Sequence, residues 1–453
     1  MRKIKKILVL GLGKSGKAAT DLALHNGISV TAIDDKETPE LSEFSERRNN
    51  RGFEACFSDI PSNFSADLAV ISPGIPKNSK LAKFARQLNL NIVSEIEFAS
   101  RFSRKTMLAI GGTNGKTTTT ELCSHILNEI GVRSSASGNT GFPLSEAVMQ
   151  EDSFDAHVVE TSSFQLENSP GFKPEAAALL NISSDHMDRY GSFEEYKEVK
   201  FRIFKNLRPG KSIVNATLLQ EYMKYCDSSE NPFAFSVAES NSSDIFSNKD
   251  REIFLKEEGE IIPFMRISQN LPGRHNVENA LAAIALVKMF VGKDFYSRKD
   301  EIKNAVDSFK IGRHRLEVFL IRDGIKYVND SKATNPDSTL SALEMFGGEK
   351  NVLLILGGLD KEMDFSPLAR MGHHIKKAYI TGLCKEKLNN VLKKHINCAL
   401  VSSFYEAVMS ACEDAVSGDV VLLSPACASM DVFKNYQERG NKFIEIIKGR
   451  FSK

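Results

Sequence analysis

No apolar stretch in this chain runs uninterrupted for the roughly 20 residues that a helix needs to cross a bilayer, so no membrane span is predicted. The seven cysteines are scattered, without the short paired spacings of a zinc site or a disulfide framework, and they suit a reducing cytoplasm. Neither sign of charge prevails. With 59 Lys plus Arg against 58 Asp plus Glu, no global field argues for nucleic acid or an anionic membrane as a partner. The opening residues, MRKIKKILVLGLGKSGK, have the basic-then-apolar look of an export leader, but Lys14 and Lys17 interrupt the run before any plausible cleavage site. What is present is ordinary for a globular chain: 42% apolar and 26% charged residues in a length of 453. That length suits about three domains of roughly 150 residues.

The most informative stretch is GTNGKTTTT, Gly112 to Thr120. An apolar, strand-like run, Met107 to Ile110, precedes it, and Leu122, Ile126, Leu127 and Ile130 follow at helical spacing. A strand, a glycine turn and a helix start make a phosphate cradle, because the turn's N–H groups and the positive helix end face an anion. Lys116 adds a mobile cation, and Thr117 a hydroxyl suited to magnesium carried by a nucleoside triphosphate. The loop is shorter than the usual one, since Ile110 stands where a glycine is expected five residues before Gly115. A purely structural turn is the alternative.

Ahead of this stretch lies a strand candidate, Ile7 to Leu10, then Gly11-Leu12-Gly13-Lys14-Ser15-Gly16 and a helical pattern through Leu24. A second strand, Ile28 to Ile33, ends at Asp34 and Asp35, so the segment fits a dinucleotide fingerprint with its ribose-binding acid. A glycine turn needed only for tight packing fits as well. A third strand, Leu68 to Ile71, runs into Ser72-Pro73-Gly74, and the first domain is predicted to finish near Ser94.

In the second α/β unit, a strand from His157 to Val159 ends at Glu160, and Ala176 to Ile182 runs into Ser183-Ser184-Asp185-His186. Ligands of parallel sheets gather at such strand ends, where Thr117, Glu160 and His186 could hold magnesium and a triphosphate. Taken singly, Glu160 also reads as a helix cap and His186 as a surface histidine. Phe193 to Phe204 is a helix candidate on which Lys200 reads as part of a solvated face. Arg251 to Ile267 reads as a hairpin about Glu257 to Glu260, and Val277 to Val291 as an apolar helix with Asn276 and Asn279 at its start as caps.

Gly312 to Arg315 marks the joint to a third domain. A hairpin from Leu316 to Val328 leads there to Asn329 to Pro336; the strands Val352 to Leu356, Ala378 to Thr381 and Val420 to Leu423 follow. Lys332, Lys361 and Ser429 come after strand ends, and the two lysines suit an acidic substrate, a phosphate reaching in from the neighbouring domain, or a solvated surface. The predicted fold is α/β in three parts: a Rossmann-like domain over 1–94, a P-loop-type ATPase domain over 95–311 and a second Rossmann-like domain over 312–453.

The strings DSKATN (Asp330 to Asn335), SPACASMD (Ser424 to Asp431) and NISSDHMDRY (Asn181 to Tyr190) agree together in looking like those of the D-glutamate-adding branch of the Mur ligases. The chain resembles that family over nearly its whole length, and within it the D-glutamate-adding branch. Departures are small: Gly111 where a threonine often stands, Thr161 where an aliphatic residue is usual, and Tyr436 in place of phenylalanine. The resemblance implies an ATP-dependent ligase of peptidoglycan precursor synthesis, cytoplasmic and monomeric, with UDP-N-acetylmuramoyl-L-alanine and D-glutamate as substrates and ATP and Mg2+ as cofactors. It gives Lys14, Ser15, Asp34, Asp35, Ser72, Pro73 and Gly74 to the UDP part of the substrate, with Asn139 and Ser162 on its muramoyl part. ATP falls to Gly112, Thr113, Asn114, Gly115, Lys116, Thr117 and Thr118, completed by Asn279, Arg315 and Asp330. Magnesium falls to Thr117, Glu160, His186 and Lys200, the last carbamylated; Lys116, Glu160, His186 and Lys200 are the implied catalytic set, with His186 a ligand or a proton acceptor. D-glutamate falls to Lys332, Thr334, Lys361, Ser429 and Tyr436. Ligands on all three domains imply a closing motion. Another ligase of this fold, such as a folylpolyglutamate synthase, is the nearest rival. A nicotinamide oxidoreductase rests on the first glycine motif alone and leaves the phosphate loop, Glu160 and His186 without a role.

Overall fold

The computed structural model describes residues 4–48, 52–57, 64–226, 231–239 and 242–452. These residues form three sheets in two compact units. The first unit comprises residues up to Ile182, Glu194–Ser268 and Val277–Phe309; the second comprises Ser183–Phe193, Gln269–Asn276 and the chain from Lys310 onward.

Within the first unit, β1 (Lys6–Leu10), β2 (Ser29–Asp34), β3 (Phe53–Phe57), β4 (Leu68–Ile71) and β5 (Ile92–Ser94) make a sheet in the order β3-β2-β1-β4-β5. All its pairings are parallel. Parallel strands are covered on both faces, which is why β1 and β4 read as unbroken apolar runs rather than alternating ones. The second sheet holds β6 (Thr106–Gly111), β7 (Ser134–Gly138), β8 (Ala156–Glu160), β9 (Ala176–Leu179), β10 (Ser212–Asn215), β11 (Phe233–Ser236), β12 (Ile245–Ser247), β13 (Glu252–Glu257) and β14 (Glu260–Arg266). Its order is β14-β13-β12-β11-β10-β9-β6-β8-β7, parallel except for the β12-β13-β14 end. The helix Glu95–Ser100 ties the two sheets together: Ser94 Oγ lies 2.6 Å from Ser169 Oγ, Glu95 accepts from Ser145 N at 2.6 Å, and Glu97 from Gly171 N at 3.0 Å.

The second unit carries β15 (Glu317–Arg322), β16 (Ile325–Asn329), β17 (Val352–Gly357), β18 (Ile375–Thr381), β19 (Cys398–Leu400) and β20 (Val420–Leu423) in the order β15-β16-β20-β17-β18-β19. Only β15 and β16 pair antiparallel. Each sheet has a place where chain order reverses: β1 against β4, β6 between β8 and β9, and β17 against β20. Open parallel sheets bind ligands at the carboxyl side of such points. Most motifs singled out in the sequence follow the ends of these same strands, while Asp34 and Asp35 stand at the end of β2 and Asp330 to Asn335 follow β16.

Three sequence expectations need correction. The strand from Ala176 stops at Leu179 instead of Ile182, because Leu180 N turns to Gly111 O and Asn181 turns its carbonyl and side chain to the phosphate loop. The helix expected from Val277 begins at Arg274, so Asn276 and Asn279 lie inside it and are not caps; Asn276 Nδ2 donates to Pro272 O at 2.7 Å. The helix expected through Phe204 ends at Phe201 and tightens to a 3-10 turn over Arg202–Phe204. No helix of the described residues is long and apolar enough to cross a membrane.

Candidate active site

The phosphate loop leaves β6, whose Ile110 stands beside Glu160 of β8 and Ala178 of β9. Gly115 caps the helix Lys116–Glu129 in the left-handed region, at φ +83°, and a Cβ there would collide with Asn279 Oδ1. Only glycine meets both demands. Asn181 holds the loop: Oδ1 accepts from Thr113 N at 3.1 Å and Asn114 N at 2.8 Å, and Nδ2 donates to Asn114 O at 3.1 Å. The buried Thr113 hydroxyl meets Tyr196 Oη at 3.2 Å. Lys116 Nζ folds back onto Thr113 O at 2.7 Å, over the turn it is expected to serve. Thr117 is half-buried and Thr118 buried in the helix's first turn.

Lys200 does not lie on a solvated face. It is 2% exposed, donates to Gly112 O, and its Nζ stands 5.0 Å from the centre of the Tyr196 ring. Burial follows from helix geometry, since Lys200 falls on the same stripe as Tyr196 and Ile203. Glu160 ends β8 and is 2% exposed. One of its oxygens accepts from Asn139 Nδ2 at 2.8 Å, and the other, Oε2, is buried with no hydrogen-bond partner. The helix cap that Glu160 might have supplied belongs instead to Ser162, which forms a capping box with Gln165.

An unpartnered buried carboxylate oxygen and a half-buried threonine hydroxyl at a helix start are hard oxygen donors that fit magnesium. Among the described residues there is no cluster of three His, Cys, Asp or Glu.

The turn after β1 is built for close approach: Ser72 Oγ donates to Gly11 O at 2.8 Å, and a Cβ on Gly16 would overlap that same carbonyl. Asp34 Oδ2 accepts from Leu12 N at 2.7 Å, so this carboxylate braces the turn. Lys14 donates to Gly141 O. Lys14, Asp35 and Gly74 are exposed, while Ser15 and Pro73 are half-buried.

In the second unit, two strand-end loops converge on Arg439, which the sequence reading missed. This side chain is 2% exposed. Its Nε donates to Ser331 Oγ at 3.0 Å, Nη2 to Ser331 O at 2.9 Å, and both terminal nitrogens to Cys427 O at 3.1 Å. Burial lowers its pKa to about 10. The signal was a charge on the buried stripe formed by Gly440, Phe443 and Ile447 of the last helix, where an unpaired Arg is rare. Around the clamp, Lys332 Nζ lies 4.1 Å from the centre of the Tyr436 ring, and Ser331 Oγ donates to Tyr436 O at 2.8 Å. Ser429 is buried and Thr334 half-buried. Lys361 donates to Asp185 at 3.2 Å, and His186, held at φ +59°, has Nε2 3.6 Å from the same carboxylate. Asp330 accepts from Ser424 Oγ at 2.8 Å and Leu316 N at 3.2 Å, and burial pushes its carboxyl up to about 7. Arg315, half-buried, helps hold that value down. Thr117, Glu160, Lys200 and Asn279 thus fall in the first unit; His186, Arg315, Asp330 and the amino-acid residues fall in the second.

A phosphate loop, a buried acid at the end of the neighbouring strand and lysine-bearing loops after the third sheet's strands fit an ATP-dependent ligase, and the family comparisons agree. Residues 5–94 match the Mur ligase MurD-like N-terminal domain, 110–287 the Mur ligase middle domain, and 314–427 the Mur ligase glutamate ligase domain. The chain belongs to the Mur ligase family. Among its relatives is the UDP-N-acetylmuramoylalanine--D-glutamate ligase of Thermoanaerobacter pseudethanolicus, 36% identical over 98% of each chain. Among solved structures, the UDP-N-acetylmuramate-alanine ligase of Thermotoga maritima has a TM-score of 0.60 at 18% identity, covering 99% of this chain and 100% of that one. The MurF ligase of Thermotoga maritima in complex with ADP has a TM-score of 0.57 at 16% identity, covering 99% and 96%. At these identities the two structures speak for the fold alone.

Proposed function

We propose that this chain joins D-glutamate to UDP-N-acetylmuramoyl-L-alanine in the cytoplasm, cleaving ATP to ADP and phosphate through an acyl phosphate. The observation that carries this reading is the match, along 98% of both chains, to a ligase named for that reaction. A free carboxylate is a poor acyl donor: its charge repels an amine, and hydroxide leaves badly. Transfer of a phosphoryl group to the L-alanyl carboxylate removes both obstacles, and attack by the D-glutamate amine then expels phosphate and forms the amide.

The residues can be given work in that sequence. Lys116 exchanges the Thr113 carbonyl for a phosphate oxygen, and the positive end of its 14-residue helix faces the same charge. Thr117, Glu160 and His186 are the ligands we assign to magnesium, which when bound neutralises charge on the phosphoryl oxygens. Lys200 is the site we assign to carbamylation; a carbamate beside Gly112 adds a further anionic donor. Asn139 orients Glu160 through its one occupied oxygen. The nucleotide roles of Asn279, Arg315 and Asp330, and the UDP roles of the Gly11 to Gly16 turn and Ser72 to Gly74, belong to the same proposal, as do the domain limits 1–94, 95–311 and 312–453. Lys332, Lys361, Thr334, Ser429 and Tyr436 supply the cations and hydroxyls that a dicarboxylate amino acid requires.

The test is ADP release with UDP-N-acetylmuramoyl-L-alanine and a panel of amino acids. D-glutamate alone should support turnover. Equal or better turnover with L-alanine, L-glutamate or diaminopimelate would overturn the assignment.

A further inference from the structure

Cysteine spacing along the chain suggested seven unrelated thiols, but the third sheet brings two of them together. Cys384 follows the end of β18 and Cys427 follows the end of β20, the strands on either side of β17. Their sulfurs lie 3.2 Å apart, and both side chains are buried.

The loops that carry them are tied in several places. Cys384 N donates to Gly358 O at 3.1 Å, and the neighbouring Leu383 N donates to Asp431 Oδ2 at 3.2 Å. Leu359 and Ala428 exchange backbone bonds of 2.8 and 3.1 Å, and Arg439 grips the Cys427 carbonyl. The pair therefore cannot drift apart without breaking this local network. A disulfide needs about 2.05 Å between sulfurs, so closing it brings the two sulfurs about 1 Å nearer and joins the two loops covalently. Cys427 lies two residues before Ser429, and the Gly358 turn leads to Lys361.

We infer that Cys384 and Cys427 are a redox-active dithiol whose closure by a peroxide-class oxidant restrains the loops that take the amino acid. The effect on turnover rests on the function proposed above; the bond itself does not. Cys384 is the attacking sulfur. It caps the eight-residue helix Lys385–Leu392, and the hydrogen bond from the Cys427 thiol holds its pKa below the usual thiol value, while the same bond keeps Cys427 protonated. The exposed neighbour Leu383 marks the side open to solvent. The Cys384 thiolate displaces hydroxide from hydrogen peroxide to give a sulfenic acid. The Cys427 sulfur then attacks that sulfur, its proton leaving with the expelled hydroxide as water. Two thiols are oxidised, and one peroxide is reduced to two waters. A dithiol reductant reverses the bond by exchange.

The test treats the reduced full-length protein with stoichiometric hydrogen peroxide, followed by peptide mass mapping and steady-state turnover. The expected result is a Cys384–Cys427 cross-linked peptide, a loss of about fivefold or more in D-glutamate kcat/KM that dithiothreitol restores, and little change in ATP KM. Cys384→Ala and Cys427→Ala, tested separately so that one poorly folding variant does not decide the matter, should each resist the loss. Absence of the cross-linked peptide would overturn the inference, as would a cross-link with unchanged turnover or a loss that persists in both variants. If the reduced protein does not use D-glutamate at all, the proposed function fails, while the peptide map still decides whether the dithiol closes.

Discussion

Replacing Arg439 by methionine removes the clamp while keeping most of the aliphatic stem. Ser331 and Cys427 then lose a charged donor at their carbonyls, contacts of 2.9 and 3.1 Å, and the Ser331 hydroxyl loses its 3.0 Å partner. Each buried acceptor left without a donor costs about 1–3 kcal/mol. Against this stands relief from burying a guanidinium whose pKa has fallen to about 10 through desolvation. The net destabilisation should be about 3 kcal/mol. For a unit of this size each kcal/mol lowers Tm by roughly 2–4 °C, so calorimetry should show the second unit melting about 6–12 °C lower. Because Ser331 precedes Lys332, the surviving enzyme should also show D-glutamate KM raised about tenfold. Arg439→Lys should recover only part of either effect, since one ammonium cannot span both carbonyls. A methionine variant melting within about 2 °C of the parent would refute the clamp.

Three further outcomes follow from the geometry. Asn181→Ala deletes three hydrogen bonds to the phosphate loop and should raise ATP KM about tenfold in a nucleotide titration; an unchanged value would mean the loop holds its shape without them. Lys361→Ala should weaken D-glutamate use and leave nucleotide binding alone, and an unchanged KM for the amino acid would remove Lys361 from that site. Glu95 is buried, which pushes its carboxyl up from 4.5 to about 7, so the folded state holds its proton more tightly than the unfolded state does. Its contribution is therefore fully present below about pH 4.5 and is lost as pH rises through 7. Glu95→Gln should gain on the parent by about 3 kcal/mol between pH 4 and 8. A difference in unfolding free energy that stays flat over that range would contradict this.

The strands that lead into each site were legible because central parallel strands are apolar throughout and end at glycine-rich turns, as β1, β6 and β17 do. The short strands β10 to β12, three or four residues each, have too little length to declare a period. Lys200 was misread because basic neighbours at Lys197 and Lys205 suggested a wet face, whereas the stripe through Tyr196 and Ile203 carries it inside. Arg439 was passed over for a related reason: apart from the Ser331 hydroxyl its partners are backbone carbonyls, and carbonyls leave no trace in residue identity. The Cys384–Cys427 contact depends on β17 lying between β18 and β20, an order that local pattern does not encode.

The proposed reaction turns on activation of a carboxylate by phosphoryl transfer. It is tested most directly by labelling the L-alanyl carboxylate of UDP-N-acetylmuramoyl-L-alanine with heavy oxygen and following the label through one turnover with ATP and D-glutamate. An acyl phosphate predicts one labelled oxygen in the released inorganic phosphate and the other in the new amide. Label appearing in AMP, or phosphate released without label, would contradict it.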